Sequence, residues 1–454
     1  MTSLHWFRQD LRLTDNPALY QAASKGPVLA MYIASETEEP MRGAASRVWL
    51  HHSLESLNRS LGHQLVLERG DAVSVLLRYC QQYEINEVTF NRCYEPWRVR
   101  EDKVIQEALE KKGIKVVTEN GSLLWEPWDI QKETPYKVFT PFYRKGCLQA
   151  KSPRLPYGKP DNLKLIKAEG LKLEQLGLLP ARDWHLGLSS YWQIGEEGAY
   201  QRLQAFIPLI HEYKEGRNFP AKPYVSQLSA PLHFGEISPH QVWHAVSLVD
   251  ADENTDHFCS ELGWREFSYH QLYANPLLPE KNLQVKFDQF PWQKHGGYLK
   301  AWQKGLTGIP IVDAGMRQLW QTGYIHNRVR MIVASFLVKN LLIDWRLGAQ
   351  WFWDCLVDAD LANNSASWQW VAGCGSDAAP YFRIFNPITQ AEKFDPEGIY
   401  IKTYVPELEG LSPPYLFNPS KLPLVSRKAL SYPDPIVDLQ QSRDKALAAF
   451  MSLK

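Results

Sequence analysis

Neither sign of charge prevails in this chain: Lys+Arg and Asp+Glu number 50 each in 454 residues, for a formal net charge of zero. A nucleic-acid-binding protein usually carries a basic excess, so any such surface here has to be a local patch balanced by acids elsewhere. Paired cysteines are missing too. Cys80, Cys93, Cys147, Cys259, Cys355 and Cys374 include no C-x-x-C spacing. That leaves no metal or redox cluster visible and suits a reducing cytoplasm. No run of about 18 apolar residues occurs, and Met1-Thr-Ser-Leu-His-Trp6 has no apolar signal core. The expectation is a cytoplasmic protein without a membrane span. There is no G-x-G-x-x-G, so a nucleotide is not expected to be held by the usual dinucleotide fingerprint. Internal repeats and low-complexity tracts are absent as well.

What is present fits a folded protein of two domains, because 454 residues exceed one compact core. Hydrophobic content of 44% and charged content of 22% are those of a soluble globular chain, whereas 17 Trp are well above ordinary usage. Short apolar runs at residues 4–7, 27–33, 64–67, 87–90 and 114–117 alternate with helical patterns at 44–61, 72–83 and 98–112. That alternation predicts a doubly wound parallel α/β sheet over residues 1–128. Prolines punctuate residues 129–190 and predict an inter-domain connection. From 191 to 454 helical periodicity dominates, at 199–213, 238–249, 258–273, 298–304, 312–321, 326–342 and 350–357, with a last helix at 442–453. This predicts an all-α second domain.

The residues with chemistry in them gather between Tyr324 and Asn386. Asn327 and Met331, four apart, share a helix face, and Arg330 lies on an adjoining one. A core face needs neither the amide nor the cation. Asp358-Ala-Asp360-Leu-Ala-Asn363-Asn364-Ser-Ala-Ser-Trp368-Gln-Trp370 then places two carboxylates, two adjacent asparagine amides and two indoles within thirteen residues. Upstream, Glu261 and Trp264 are three apart on one helical face, an acid beside an indole. Val225-Ser226-Gln227-Leu228-Ser229 is a hydroxyl-bearing loop that opens a helix, a setting able to hold phosphate.

Together these motifs resemble the DNA photolyase/cryptochrome family, nearest to its bacterial cyclobutane pyrimidine dimer photolyases. Trp6-Phe7-Arg8-Gln9-Asp10-Leu11-Arg12 looks like that family's opening strand and loop; on the residues alone, its charges read as salt links. The resemblance implies light-driven repair of cyclobutane pyrimidine dimers by electron transfer from excited reduced FAD. It implies FAD ligands at Tyr213, Ser226, Leu228, Ser229, Arg330, Asp358, Asp360 and Asn364, with Arg330 and Asp358 as an ion pair and Asn364 at the flavin N5. A one-residue slip between Asn363 and Asn364 stays open. The family's phosphate loop usually has Thr and a cation where Val225 and Gln227 stand here. Glu261, Asn327 and Met331 are implied as catalytic. Arg217, Trp264, Arg265, Arg328 and Trp370 are implied as DNA-binding, and Trp292, Trp345 and Trp368 as an electron-transfer chain. Arg383 in Pro380-Tyr-Phe-Arg383 is a family signature of structural or DNA-facing role. His326 reads as a structural histidine.

Asn327 and Met331 favour the cyclobutane lesion over a (6-4) photolyase, and Asn364 favours an enzyme over a cryptochrome-type blue-light photoreceptor. The implied partner is UV-damaged DNA, with no obligate protein partner and a monomeric state. An antenna chromophore, folate or deazaflavin, is left without an identity: Asn91-Arg-Cys-Tyr94-Glu95-Pro96-Trp97 departs from the folate-binding pattern, and Trp97 reads equally as an antenna stacking surface or as core.

Overall fold

The computed structural model describes residues 2–35, 38, 40–130, 134–378 and 382–453. Five parallel strands form one sheet: β1 (Ser3–Phe7), β2 (Val28–Ala34), β3 (Val66–Arg69), β4 (Glu87–Asn91) and β5 (Lys115–Glu119), in the order β3-β2-β1-β4-β5. The order reverses beside β1, which pairs with β2 on one side and β4 on the other. Helices Pro17–Lys25, Ala44–Ser60, Ala72–Gln82 and Pro96–Glu110 make the crossovers. Strands covered on both faces read as continuous apolar runs. Trp6, Leu29, Met31 and Phe90 accordingly share one core with Ile105 and Leu109 of the last crossover helix.

The helix Pro17–Lys25 was not apparent from periodicity. Its start signals are local: the Asn16 side chain accepts from Leu19 N–H, and Pro17 fills the first turn. The opening charge cluster does tie its loop down. Arg8 donates to Asp102 (2.5 Å), and Arg12, fully buried, donates to the main-chain oxygens of Asp15, Gly121 and Gly235.

Beyond Glu119 the described residues contain no further strand, as helical periodicity predicts. Two differences from that pattern bear on the site. The helix expected over 326–342 runs only from Asn327 to Ser335 and continues as a π-helical turn, Phe336–Asn340. A helix not expected, Leu361–Ala372, carries the Asn363, Asn364 and Trp368 cluster. Its Asn and Ser content lowers helix propensity, but Asp360 caps it by accepting from Asn363 N–H (2.8 Å).

By compactness the chain divides into two units: Met1–Ile210 with Ser226–Pro276 and Val357–Ala359, and His211–Val225 with Leu277–Leu356 and Asp360–Lys454. Among the described residues no helix is long and apolar enough to cross a membrane, and no cluster of His, Cys, Asp or Glu is arranged to hold a metal ion.

Candidate functional site

In the first unit, the phosphate-type loop turns through Gln227, whose φ of 50° lies in the left-handed region, rare for a residue with a side chain. The turn lets Ser226 Oγ accept from Leu228 N–H (3.4 Å). Ser226 is half-buried, Leu228 buried and Ser229 exposed. The cation missing at position 227 is replaced from elsewhere: Arg202 Nη1 donates to Gln227 Oε1 (2.7 Å). Sequence reasoning missed Arg202, since only the fold brings it 25 residues forward onto the loop. Two hydroxyls, a left-handed turn and a held guanidinium form a donor set that fits a diphosphate.

The helix Glu253–Ala274 positions Glu261, Trp264 and Arg265. One face of the Trp264 indole is covered by Phe139, stacked at 3.9 Å, which fixes the ring plane. Glu261 Oε1 lies 3.8 Å from His257 Nε2 one turn back. Arg265 turns inward. It donates to Ser122 O (2.8 Å) and Glu266 Oε1 (3.1 Å), and its side chain is 12% exposed. Asp358 is buried in the short segment Val357–Ala359 of this unit. Trp97 is buried beneath the guanidinium of Arg98, 4.0 Å from its ring centre, which favours its core reading.

In the second unit, the N-terminus of helix Asn327–Ser335 gathers three arginines, Arg217, Arg328 and Arg330. The Arg328 guanidinium donates to the Asn218 side chain and lies over Phe394. Its Nη1 is 3.8 Å from Met331 Sδ. Arg217 covers Tyr213, and Arg330 donates to Ile325 O (2.7 Å) and covers Tyr324. His326 caps the helix, its Nδ1 accepting from Arg328 N–H (3.2 Å). Burial first, then the charges of Arg217, Arg328 and Arg330, pull its pKa down to about 3, so the ring is neutral and its Nε2 carries the proton. Asn327 is exposed, and its amide makes no hydrogen bond among the described residues.

The helices Trp345–Cys355 and Leu361–Ala372 hold the indoles. Trp345 is fully buried and donates to Asn282 Oδ1 (2.9 Å). Trp368 lies edge-on to Phe352 at 4.9 Å with the outer edge of its indole against Gly348, where an added Cβ would meet the ring at 2.2 Å. Trp292, half-buried, packs on Phe290 at 4.3 Å. Among the described residues no two of Trp292, Trp345 and Trp368 are in ring contact. Trp370 donates to Asp377 O (3.1 Å).

The two adjacent amides are not equivalent. Asn363 Nδ2 is spent on Asp360 Oδ1 (2.7 Å). Asn364 Nδ2 donates to Ala349 O (3.1 Å), which leaves its Oδ1 as an acceptor without a partner among the described residues. Asn363 Oδ1 is likewise without a partner among the described residues; the two differ in that Asn363 is tied to its own helix cap and Asn364 to the neighbouring helix Trp345–Cys355. An acceptor oxygen in this place fits the N5–H of a reduced flavin. Of the Arg383 signature, Pro380 and Tyr381 lie outside the described residues; Arg383 itself is exposed.

Two family models match the chain. One, described as DNA photolyase, covers residues 3–161, and the other, described as the FAD binding domain of DNA photolyase, covers residues 258–452. A deoxyribodipyrimidine photo-lyase of Agrobacterium fabrum is 47% identical over 99% of this chain and 97% of its own length. Cryptochrome-1 of Arabidopsis thaliana is 35% identical over 97% of this chain and 69% of that protein. The crystal structure of a bacterial class III photolyase from Agrobacterium tumefaciens superposes with a TM-score of 0.95 at 46% identity, covering 100% of this chain and 97% of that one. With identity at this level over nearly its whole length, the chain belongs to the DNA photolyase family.

Proposed function

We propose that this protein is a deoxyribodipyrimidine photo-lyase that repairs cyclobutane pyrimidine dimers in UV-damaged DNA with FAD and light. The observation that carries the reading is the 47% identity to the Agrobacterium fabrum photo-lyase over both full lengths. The 35% identical cryptochrome is matched over only 69% of its length, which makes the photoreceptor reading the weaker one. When bound, reduced FAD supplies on excitation the electron that opens the cyclobutane ring and takes it back.

Every other role falls to residues of the chain. Ser226, Ser229 and the Gln227–Arg202 pair would hold the flavin diphosphate, with Tyr213 and Leu228 lining it. Asp358, Asp360 and Arg330 would bind the ribityl and ring edges, Arg330 with Asp358 as an ion pair. Asn364 Oδ1 would accept from N5–H. Arg217 and Arg328 make a patch suited to DNA phosphate, while Trp264 and Trp370 offer ring faces to an extruded dimer; extrusion costs a few kcal/mol, least at a lesion. Glu261 would accept from a ring N–H of the dimer or, when it carries a proton, donate to a carbonyl, and the unspent amide N–H of Asn327 would donate to the carbonyl edge, with Met331 packed beside it. Such fixed donors count for more in a site that excludes water. Arg265, committed to Ser122 and Glu266, is better suited to fixing the loop at Ser122 than to binding DNA. Trp292, Trp345 and Trp368 would relay electrons inward from the surface. We further propose residues 1–128 as the antenna-bearing part, 129–190 as the connection and 191–454 as the catalytic part, acting as a cytoplasmic monomer; a folate or deazaflavin antenna is part of the same reading.

The test is a repair assay. The protein is reduced under blue light and given an oligonucleotide with one thymine cyclobutane dimer, and the returning absorbance of aromatic pyrimidine is followed. Light-dependent recovery, lost in Glu261→Ala and Asn327→Ala, is the expected outcome. No recovery with the flavin fully reduced would sink the reading, and recovery on a (6-4) lesion instead would reassign the substrate.

A further inference from the structure

The second unit contains a cavity of ≈ 250 Å³ whose lining shares only Trp370 with the roles above. Three cations line it, Lys286, Lys339 and Arg383, and no carboxylate does. Lys286 and Arg383 are exposed at its rim. Lys339 sits in the π-helical turn Phe336–Asn340 and is 2% exposed. π-Helical turns inside helices recur at functional sites, because the wide turn re-aims a side chain.

Lys339 is short of partners. Its Nζ donates to Ala372 O (3.2 Å), at the C-terminal end of helix Leu361–Ala372, and lies 3.0 Å from the centre of the Phe382 ring. A helix end and a ring face each offer only a partial negative charge. An ammonium has three protons to donate, and among the described residues no carboxylate lies within ion-pair distance of it. Burial accordingly pushes its pKa well below the usual lysine value. An unpaired buried charge is costly, and an anion brought to it removes that cost. The walls are aromatic: Phe382 stacks on Phe450 at 4.5 Å, and Phe287 stands beside them. Ordinary ligand pockets run to about 300–1,000 Å³, so this one holds a single ring with its anionic group and not a dinucleotide.

We propose that this cavity is a second, small-molecule site that binds a compact anion, a phosphate or carboxylate borne on one aromatic ring, with Lys339 as the buried counter-charge and Lys286 as the rim cation. It is separate from the residues assigned above to the flavin and shares one residue, Trp370, with those assigned to DNA.

The test uses the flavin-loaded full chain and titrates it with phenyl phosphate by calorimetry, with inorganic phosphate in a parallel arm. Saturable binding is expected, weakened at least tenfold in Lys339→Met and severalfold in Lys286→Gln, with inorganic phosphate binding more weakly than the ring-bearing probe. Lys286 is on the exposed rim, so that variant keeps the test decisive should Lys339→Met fold poorly. Absence of saturable binding, or binding unchanged in both variants, would overturn the proposal. Displacement of phenyl phosphate by an undamaged duplex would also overturn it, and would make the cavity part of the DNA surface.

Discussion

His270 shows at the residue scale how a buried polar group costs stability. It is buried, neither ring nitrogen has a partner among the described residues, and the rings of Phe142 and Tyr136 are its neighbours. Burial lowers its pKa to about 4. Replacing an unsatisfied donor by an apolar ring removes the desolvation cost, so His270→Phe is expected to stabilise the protein by about 1 kcal/mol at pH 8 in chemical denaturation. The gain should be larger at pH 5. The histidine's folded pKa lies below its unfolded value, so its contribution is intact above about 6.5 and erodes as pH falls toward 4, and phenylalanine has nothing to lose there. A smaller gain at pH 5 than at pH 8 would refute this account. Asn364 is the functional counterpart. Asn364→Ala removes the acceptor Oδ1, and about a tenfold fall in the repair rate with unchanged flavin content is the expected result. Equal losses of rate and of bound flavin would instead make it a binding residue.

At the scale of elements, packing sets the consequences. Gly348 lets helix Trp345–Cys355 approach Trp368, and an added Cβ would also meet Leu337 at 2.6 Å. Both neighbours are buried in a dense core, so Gly348→Ala should destabilise by about 1–3 kcal/mol. It should also slow light-driven flavin reduction by displacing the indole proposed to relay electrons. Thermal unfolding and the rate of photoreduction check the two parts separately. The Asp360 cap is the other such point. Asp360→Asn keeps a capping side chain, whereas Asp360→Ala loses about 1 kcal/mol of stability. If the carboxylate also binds the flavin, both variants should lose FAD affinity, which fluorescence of released flavin would read.

At the scale of the whole molecule, buried ionisable groups set the pH response. His240 and His270 are pulled down to about 4 and His326 to about 3, chiefly by burial. Each takes up a proton on unfolding at mildly acid pH, so stability should drop as pH falls below about 6.5. Burial raises Glu236 and Glu266 to about 7, which works the other way: each holds a proton in the folded state that unfolding releases above about 4.5. Taken together these five groups contribute a net decline between about pH 6 and 4.5, three histidines outweighing two acids there, read by urea midpoints across that range. Stability that rose steadily from pH 7 to pH 4 would contradict it.

The chain order of residues determined much of this protein by itself. Alternating apolar runs and amphipathic segments specify a parallel sheet, since period and polarity are local properties, and the strands at 4–7 and 87–90 formed within a residue or two of their expected limits. Asn327, Met331 and Arg330 were legible as a chemical face because helix spacing converts sequence distance into position. What sequence could not decide was anything requiring two distant segments to meet. Gln227 looked like a lost cation until Arg202 reached it, and nothing near Arg265 in the chain announced its bond to Ser122. Asn363 and Asn364 read alike in the sequence, and only the fold ties one to Asp360 and the other to Ala349. Lys339 read as one more helical lysine, and only the π-helical turn and the rings around it buried its charge. Local periodicity fixes which segments become elements; long-range packing fixes which polar atoms remain unspent, and those atoms carry the function.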